Sequence, residues 1–152
     1  MNNTWYKALP FFTEEELACK GTGIIQLDIR FAVALPALRI QWGRPLYPTS
    51  VCRTPEHNEN EGGHPRSLHL TVNPVHKTTG TMAADINWEF WTGNERIEFG
   101  RMAYAAGWSV GLSDVFVHID RRRDVGLQQH VFDYGDKWSN HFEKSAIQGL
   151  AP

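Results

Sequence analysis

Apolar residues recur at helical spacing along one stretch. Leu27, Phe31, Leu35, Leu38 and Trp42 step by 4, 4, 3 and 4 positions, which puts all five on one helix face. Asp28 is placed to cap its start and Gly43 to end it. Pro36 falls inside the pattern, and its missing N–H and ring clash predict a kink or a split into two helices. Upstream, Thr13-Glu14-Glu15-Glu16 has the form of a capping box with an acidic first turn, so a short helix opens there. Leu46 to Val51 and Thr81 to Ile86 are expected as strands. Val115 to Asp120, β-branched and apolar at alternate positions, is the clearest strand. Arg53 to Arg66 is polar and rich in Gly, Pro and His, which reads as a loop. Asn94 is expected to cap a helix running to about Ala106, with Gly107 as its stop signal. The tail beyond Arg121 offers Tyr134, Trp138 and Phe142 for packing on the body. Helices come early and long irregular segments separate the strands. The expected fold is therefore α+β, a small antiparallel sheet with flanking helices.

Composition supports one domain over residues 1–152, with 41% hydrophobic residues and six Trp available for a core. A formal net charge of -2 leaves no global basic field, which argues against a nucleic-acid partner. No apolar run of about 18 residues exists, so no membrane span is expected. Arg121-Arg122-Arg123 is the one dense basic cluster, expected as a solvated face, with contact to an anionic glycan or substrate as the alternative. Met1-Asn2-Asn3-Thr4-Trp5 lacks the basic-then-apolar pattern of a secretory signal. Cytoplasmic synthesis without a signal peptide, or a mature form, follows as an expectation. Cys19 and Cys52 are too few for a disulfide framework and are expected as free thiols. No G-x-S-x-G elbow is present, Cys19 has no evident His partner, and Cys52 falls on an expected strand as an inert buried thiol, which argues against a Ser or Cys hydrolase.

Strand alternation directs attention to three positions. Along Asp114 to Asp120, Val115, Val117 and Ile119 take one face, while Asp114, Phe116, His118 and Asp120 take the other. Same-face neighbours on a strand lie about 6.5–7 Å apart, so one can hold a metal while the other reaches its water. Asp85 shares a face with Thr81 and Ala83, and the small Ala83 leaves space beside it. A carboxylate there is costly to bury unless paired or metal-bound. A catalytic zinc needs three protein ligands and one open position, and His nitrogen and Asp oxygen are suitable donors. His69, Asp85 and His118 are the expected ligands, and Asp120, then Asp114, the expected general base. By spacing alone, a His beside a carboxylate is more often an ordinary hydrogen-bonded pair.

Longer motifs shift that balance. Thr49-Ser50-Val51-Cys52-Arg53-Thr54-Pro55-Glu56-His57-Asn58 is followed by Gly62-Gly63 and Ser67-Leu68-His69. Ala83-Ala84-Asp85 and Phe116-Val117-His118-Ile119-Asp120 come later. In order and character this resembles the zinc DD-peptidases of the hedgehog-like group. These include D-Ala-D-Ala carboxypeptidases, phage L-Ala-D-Glu endolysins and murein endopeptidases. Their pattern runs roughly T-S-G-Y-R-x-x-x-x-N, G-G, S-x-H-x-x-G-x-A-x-D, F-V-H-x-D, and the resemblance spans about Phe12 to Arg121. It implies a hedgehog/DD-peptidase-like fold and zinc on His69, Asp85 and His118. It also implies that Arg53 binds a substrate carboxylate or carbonyl through its two-pronged guanidinium. Ser67 would support the site or substrate through its hydroxyl.

Three departures stand out. Val51-Cys52 replaces Gly-Tyr. His69 and Asp85 lie 16 residues apart, farther than in the pattern, so Leu70 to Gly80, with the turn signals Asn73-Pro74 and Thr78-Thr79-Gly80, reads as an inserted hairpin or loop beside the cleft. His76 inside it is an alternative to His69 as ligand. His57 and His64 are expected as exposed loop residues. The implied function is zinc-dependent hydrolysis of peptide bonds in peptidoglycan stem peptides or cross-links. The expected setting is a monomeric phage or prophage lytic enzyme that reaches the wall after release, or a periplasmic enzyme. The alternative is a non-catalytic, metal-containing binding or virion structural module on the same fold.

Overall fold

The computed structural model describes residues 8–134, 138–139 and 141–149. The Met1 to Trp5 stretch lies outside the described residues. Helix α1, Glu14–Leu17, opens with the expected capping box. The Thr13 hydroxyl accepts from Glu16 N at 3.1 Å, and the Glu16 carboxylate accepts from Thr13 N at 2.9 Å. Helix α2, Ile29–Trp42, starts at the Asp28 cap and ends at Gly43 with φ 74. Pro36 lies inside this one continuous helix, so the split, one of the two expected outcomes, does not occur. Phe31, Leu35, Leu38 and Trp42, on both sides of the proline, are buried. Each such side chain contributes about 1.5–3 kcal/mol, which together outweighs the ~3 kcal/mol of an internal proline.

The sheet has five strands: β1 Pro48–Ser50, β2 Ala83–Asn87, β3 Ser109–Leu112, β4 Phe116–Asp120 and β5 Val131–Asp133. Their order is β1-β2-β4-β3-β5, antiparallel throughout except for the parallel β3–β5 pair. The fold is thus α+β, with helices flanking a mostly antiparallel sheet. Register separates the two faces. Ala84, Ile119 and Val110 align, as do Ile86, Val117 and Leu112, and all six are buried in the core. The opposite face carries Ala83, Asp120 and Ser109 in one row and Asp85, His118 and Gly111 in the next.

Several boundaries differ from the sequence expectation. The first strand shrinks to three residues, with an irregular register against β2. The supposed loop 53–66 contains helix α3, Pro55–Asn60, capped by Thr54 with Pro55 in its first turn. Helix α4, Gly93–Ala105, is capped by Thr92 in a capping box with Glu95, not by Asn94. Helix α5, Ser145–Gln148, lays Ile147 against α4 at Gly100. Trp138 in the tail packs on Trp88, centroids 6.1 Å apart, and on Phe142 at 4.9 Å.

The arginine cluster is not a solvated face. Arg122 opens a 3-10 turn, Arg122–Val125, that folds back over the end of β4. Arg121 is buried, bonded to Asp124 and to the Ala106 carbonyl, with its guanidinium 5.1 Å from the Trp108 ring centroid. Arg122 is turned inward onto Asp120, and only Arg123 is exposed. Among the described residues, no helix is long and apolar enough to cross a membrane.

Candidate metal centre

The β2–β4 ladder pairs Asp85 directly with His118 on the polar face of the sheet. On the far side of His118, the ladder places Gly111. A Cβ there would lie 2.8 Å from the Phe132 ring and 3.1 Å from His118 Cβ, so glycine makes room for both rings.

His69 arrives from outside the sheet. Its carbonyl accepts from Arg53 N at 2.9 Å and from the Thr81 hydroxyl at 2.8 Å. Its own N–H donates to Ser67 Oγ at 3.2 Å. These bonds hold His69 over Asp85. Asp85 Oδ1 lies 3.2 Å from His69 Nε2 and 3.0 Å from His118 Nδ1. All three residues are buried, and one donor atom from each lies within 4.8 Å of the others. Donors around a tetrahedral zinc, at about 2.0–2.2 Å from the ion, stand roughly 3.3 Å apart. The three side chains therefore need only small adjustments to share one ion.

The outer ring nitrogens support the same assignment. His69 Nδ1 lies 2.8 Å from the Val51 carbonyl, and His118 Nε2 lies 2.8 Å from Asp120 Oδ2. Each imidazole is thus oriented by an acceptor behind it, the usual arrangement for a metal-binding His. Burial alone would raise the Asp85 pKa, but the two imidazoles hold it far below the ordinary carboxylate range. Burial would lower that of His118, but bonds to Asp120 and Asp85 raise it to about 9 in the metal-free protein.

Asp120 is fully buried and saturated. Its Oδ1 accepts from Arg122 N and Nε at 3.0 and 2.9 Å, and its Oδ2 from Arg122 Nη2 and His118 Nε2 at 2.7 and 2.8 Å. Burial would raise its pKa, but His118 and Arg122 pull it well below the carboxylate range. Asp120, the expected base, thus receives three of these bonds from Arg122 and one from His118. Asp114, the second candidate, is not brought to the site. Its half-buried side chain accepts from the Ser139 hydroxyl at 2.5 Å and lies 2.9 Å from His141 Nε2 in the tail.

Arg53 is half-buried, with Nη1 3.1 Å from Asn58 Oδ1 and Nη2 3.3 Å from Ser50 Oγ. Both partners are neutral. Among the described residues, no carboxylate forms an ion pair with Arg53. Gly63 presses against this pair, since a Cβ there would meet Asn58 Oδ1 at 2.0 Å. Two cavities, of about 610 and 540 Å3, share Arg53, Gly63, His64 and Tyr134. The larger includes His118 and Ser67, and the smaller includes Asp85.

His76 lines the larger cavity, and the group that could hold a metal ion consists of His69, Asp85 and His118. His64 is exposed, as expected, whereas His57 is half-buried on α3. The sequence reading placed none of Asn58, Arg122 and Tyr134 beside the metal group: Asn58 stood only in the motif, Arg122 in the basic cluster and Tyr134 among the packing residues of the tail. Tyr134 sets its ring 5.2 Å from that of His118. A polar residue five positions after Arg53 and an arginine two after Asp120 were the available signals. Cys19 and Cys52 are buried free thiols, as expected.

The profile of the Peptidase M15 family matches residues 10–120. The chain belongs to the Peptidase M15 family. This is the family of zinc D-Ala-D-Ala carboxypeptidases and hedgehog-like peptidases. The M15 match contains Arg53, Ser67 and all three candidate ligands, whereas β5 and Tyr134 lie beyond it. No curated protein and no solved structure matches the chain.

Proposed function

We propose that this M15 peptidase binds zinc and hydrolyses peptide bonds in peptidoglycan stem peptides or cross-links. The observation that carries the reading is the convergence of His69, Asp85 and His118 at a cleft where Arg53 has, among the described residues, no carboxylate partner. Two neutral nitrogens and one carboxylate suit zinc, which when bound would activate water near neutral pH and polarise the scissile carbonyl. Asp120 holds the proton on His118 Nε2 and keeps Nδ1 aimed at Asp85. The Val51 carbonyl does the same for His69, leaving Nε2 as donor. Arg53 is placed to hold a substrate carboxylate or to stabilise negative charge on the carbonyl oxygen as water adds. Stem peptides carry free carboxylates, and Arg53, with Arg66 in the larger cavity, complements them. A phage or prophage lytic role belongs to the same proposal and rests on the motif resemblance to endolysins.

The test is incubation of zinc-loaded protein with purified peptidoglycan, with and without chelator, followed by mass spectrometry of the products. Cleavage abolished by chelator and restored by zinc supports the reading. Full zinc loading with no bond cut would favour a non-catalytic binding module.

A further inference from the structure

His118 is one end of a chain of contacts that leads away from the metal group. Its Nε2 lies 2.8 Å from Asp120 Oδ2. A single bond of that kind holds one oxygen but leaves the carboxylate free to turn about its Cβ–Cγ bond, a torsion with broad wells. Arg122 removes that freedom. Its Nε donates to Oδ1 at 2.9 Å and its Nη2 to Oδ2 at 2.7 Å, the two-pronged geometry that a guanidinium makes with a carboxylate. Its backbone N–H adds a bond to Oδ1 at 3.0 Å. Both oxygens are therefore gripped, and Oδ2 is kept within bonding distance of His118.

Arg122 is itself held. Its Nη1 lies 2.8 Å from His130 Nε2, and since arginine only donates, the imidazole nitrogen accepts. The guanidinium carbon stands 4.9 Å from the ring centroid of Phe132 on β5. His130 is tied to the start of β3. Its N–H donates to Ser109 Oγ at 3.1 Å, and its carbonyl accepts from Val110 N at 3.1 Å. The backing of the metal group thus runs from His118 through Asp120 and Arg122 to His130. Arg122 and His130 both lie beyond the stretch matched by the family profile.

Arg122 also borders the larger cavity, as Arg53 does. The two differ in their partners. Arg53 Nη1 and Nη2 meet the neutral oxygens of Asn58 and Ser50. In Arg122 all three guanidinium nitrogens are engaged, two of them by a buried carboxylate. A substrate carboxylate would compete with Asp120 for Arg122, but only with neutral groups for Arg53. On the zinc reading of His69, Asp85 and His118, we propose that Arg122 is a positioning residue of the metal centre. Its grip on both Asp120 oxygens fixes the carboxylate that orients His118.

Zinc affinity, measured by competition with a chelating dye, tests this in the wild type, Arg122→Met and Arg122→Lys. Arg122→Met keeps an apolar stem and removes the fork. Zinc should bind about tenfold more weakly, the low end of the range for partners behind a ligating His. Arg122→Lys keeps the positive charge but cannot match the two-pronged geometry, so it should recover only part of the loss. In the zinc-loaded wild type, NMR of 15N-labelled imidazoles should show a slowly exchanging His118 Nε2–H. That signal should exchange faster in Arg122→Met, which a change in global stability alone would not cause.

Unchanged zinc affinity in Arg122→Met would overturn the proposal. Wild-type affinity in Arg122→Lys would overturn it too, by assigning the effect to charge rather than to the grip, and this variant decides the matter if Arg122→Met does not fold. A raised KM at unchanged zinc affinity would make Arg122 a substrate contact instead. Failure of the wild type to bind zinc would sink the metal reading itself, a result distinct from a wild type and variants that bind zinc equally well.

Discussion

The site has two sides that the chain builds differently. On the sheet side, Asp85, His118 and Asp120 stand on paired strands, so their positions follow from ladder register. On the loop side, Arg53, Ser67, His69 and His76 stand on irregular segments between β1 and β2. They are held by individual hydrogen bonds, among them Arg53 N to His69 O and His69 N to Ser67 Oγ. The sheet fixes where an ion can sit, and the loops decide what can reach it. Removing a sheet-side group should therefore affect metal affinity, and removing a loop-side group other than His69 should affect substrate handling.

The largest expected effect is on the sheet side. His118→Ala should abolish stoichiometric zinc binding and reduce hydrolysis by more than about a thousandfold, in line with losing a ligand of a three-ligand site. Arg53→Ala should cut kcat/KM by about 100- to 1,000-fold, the range for removing one oxyanion donor, with zinc content unchanged. Loss of zinc in that variant would erase the division between the two sides. Asp120→Asn sharpens the comparison. If Asp120 positions His118, zinc affinity should fall about 10- to 100-fold, measured by competition with a chelating dye. Turnover lost at unchanged zinc affinity would return Asp120 to the role of base.

Acidity gives a smaller, graded effect. In the metal-free protein the His118 pKa is raised to about 9. Its stabilising contribution is complete below the unfolded value of about 6.5 and is lost as pH rises through about 9. Zinc must displace that proton, so apparent affinity should rise roughly tenfold per unit between pH 7 and 9. Calorimetry in buffers of different ionisation enthalpy would count the proton released. The depressed Asp85 and Asp120 contribute above about pH 3.9, and that stability is lost as pH falls through their folded values. The smallest effect concerns the loop side. Thr54→Ala removes the α3 cap, whose hydroxyl accepts from His57 N at 3.3 Å. It should cost about 1 kcal/mol in urea unfolding, with little change in zinc affinity.

The same division governs what the sequence could show. His118 and Asp85 were legible because a strand places alternate residues on opposite faces, and an apolar face beside a polar one identifies the element. His69 needed the longer motif, since irregular backbone has no such period. Helix α3 was hidden by polar composition, although Thr54-Pro55 is a cap followed by a first-turn proline. Strands β3 and β5 span only four and three residues, too short to show alternation. Asp120 illustrates the limit. Its face was read correctly, but Arg122 reaches it only because the chain turns back after β4. Asp114 shared the strand pattern too, yet the tail residues Ser139 and His141 take its carboxylate.

X-ray absorption at the zinc edge of the loaded protein tests the central claim most directly. The account predicts one zinc per chain with two imidazole nitrogens and a carboxylate oxygen, all at about 2.0–2.2 Å. A sulfur ligand at about 2.3 Å from Cys19 or Cys52, or a shell with fewer than two imidazoles, would contradict it.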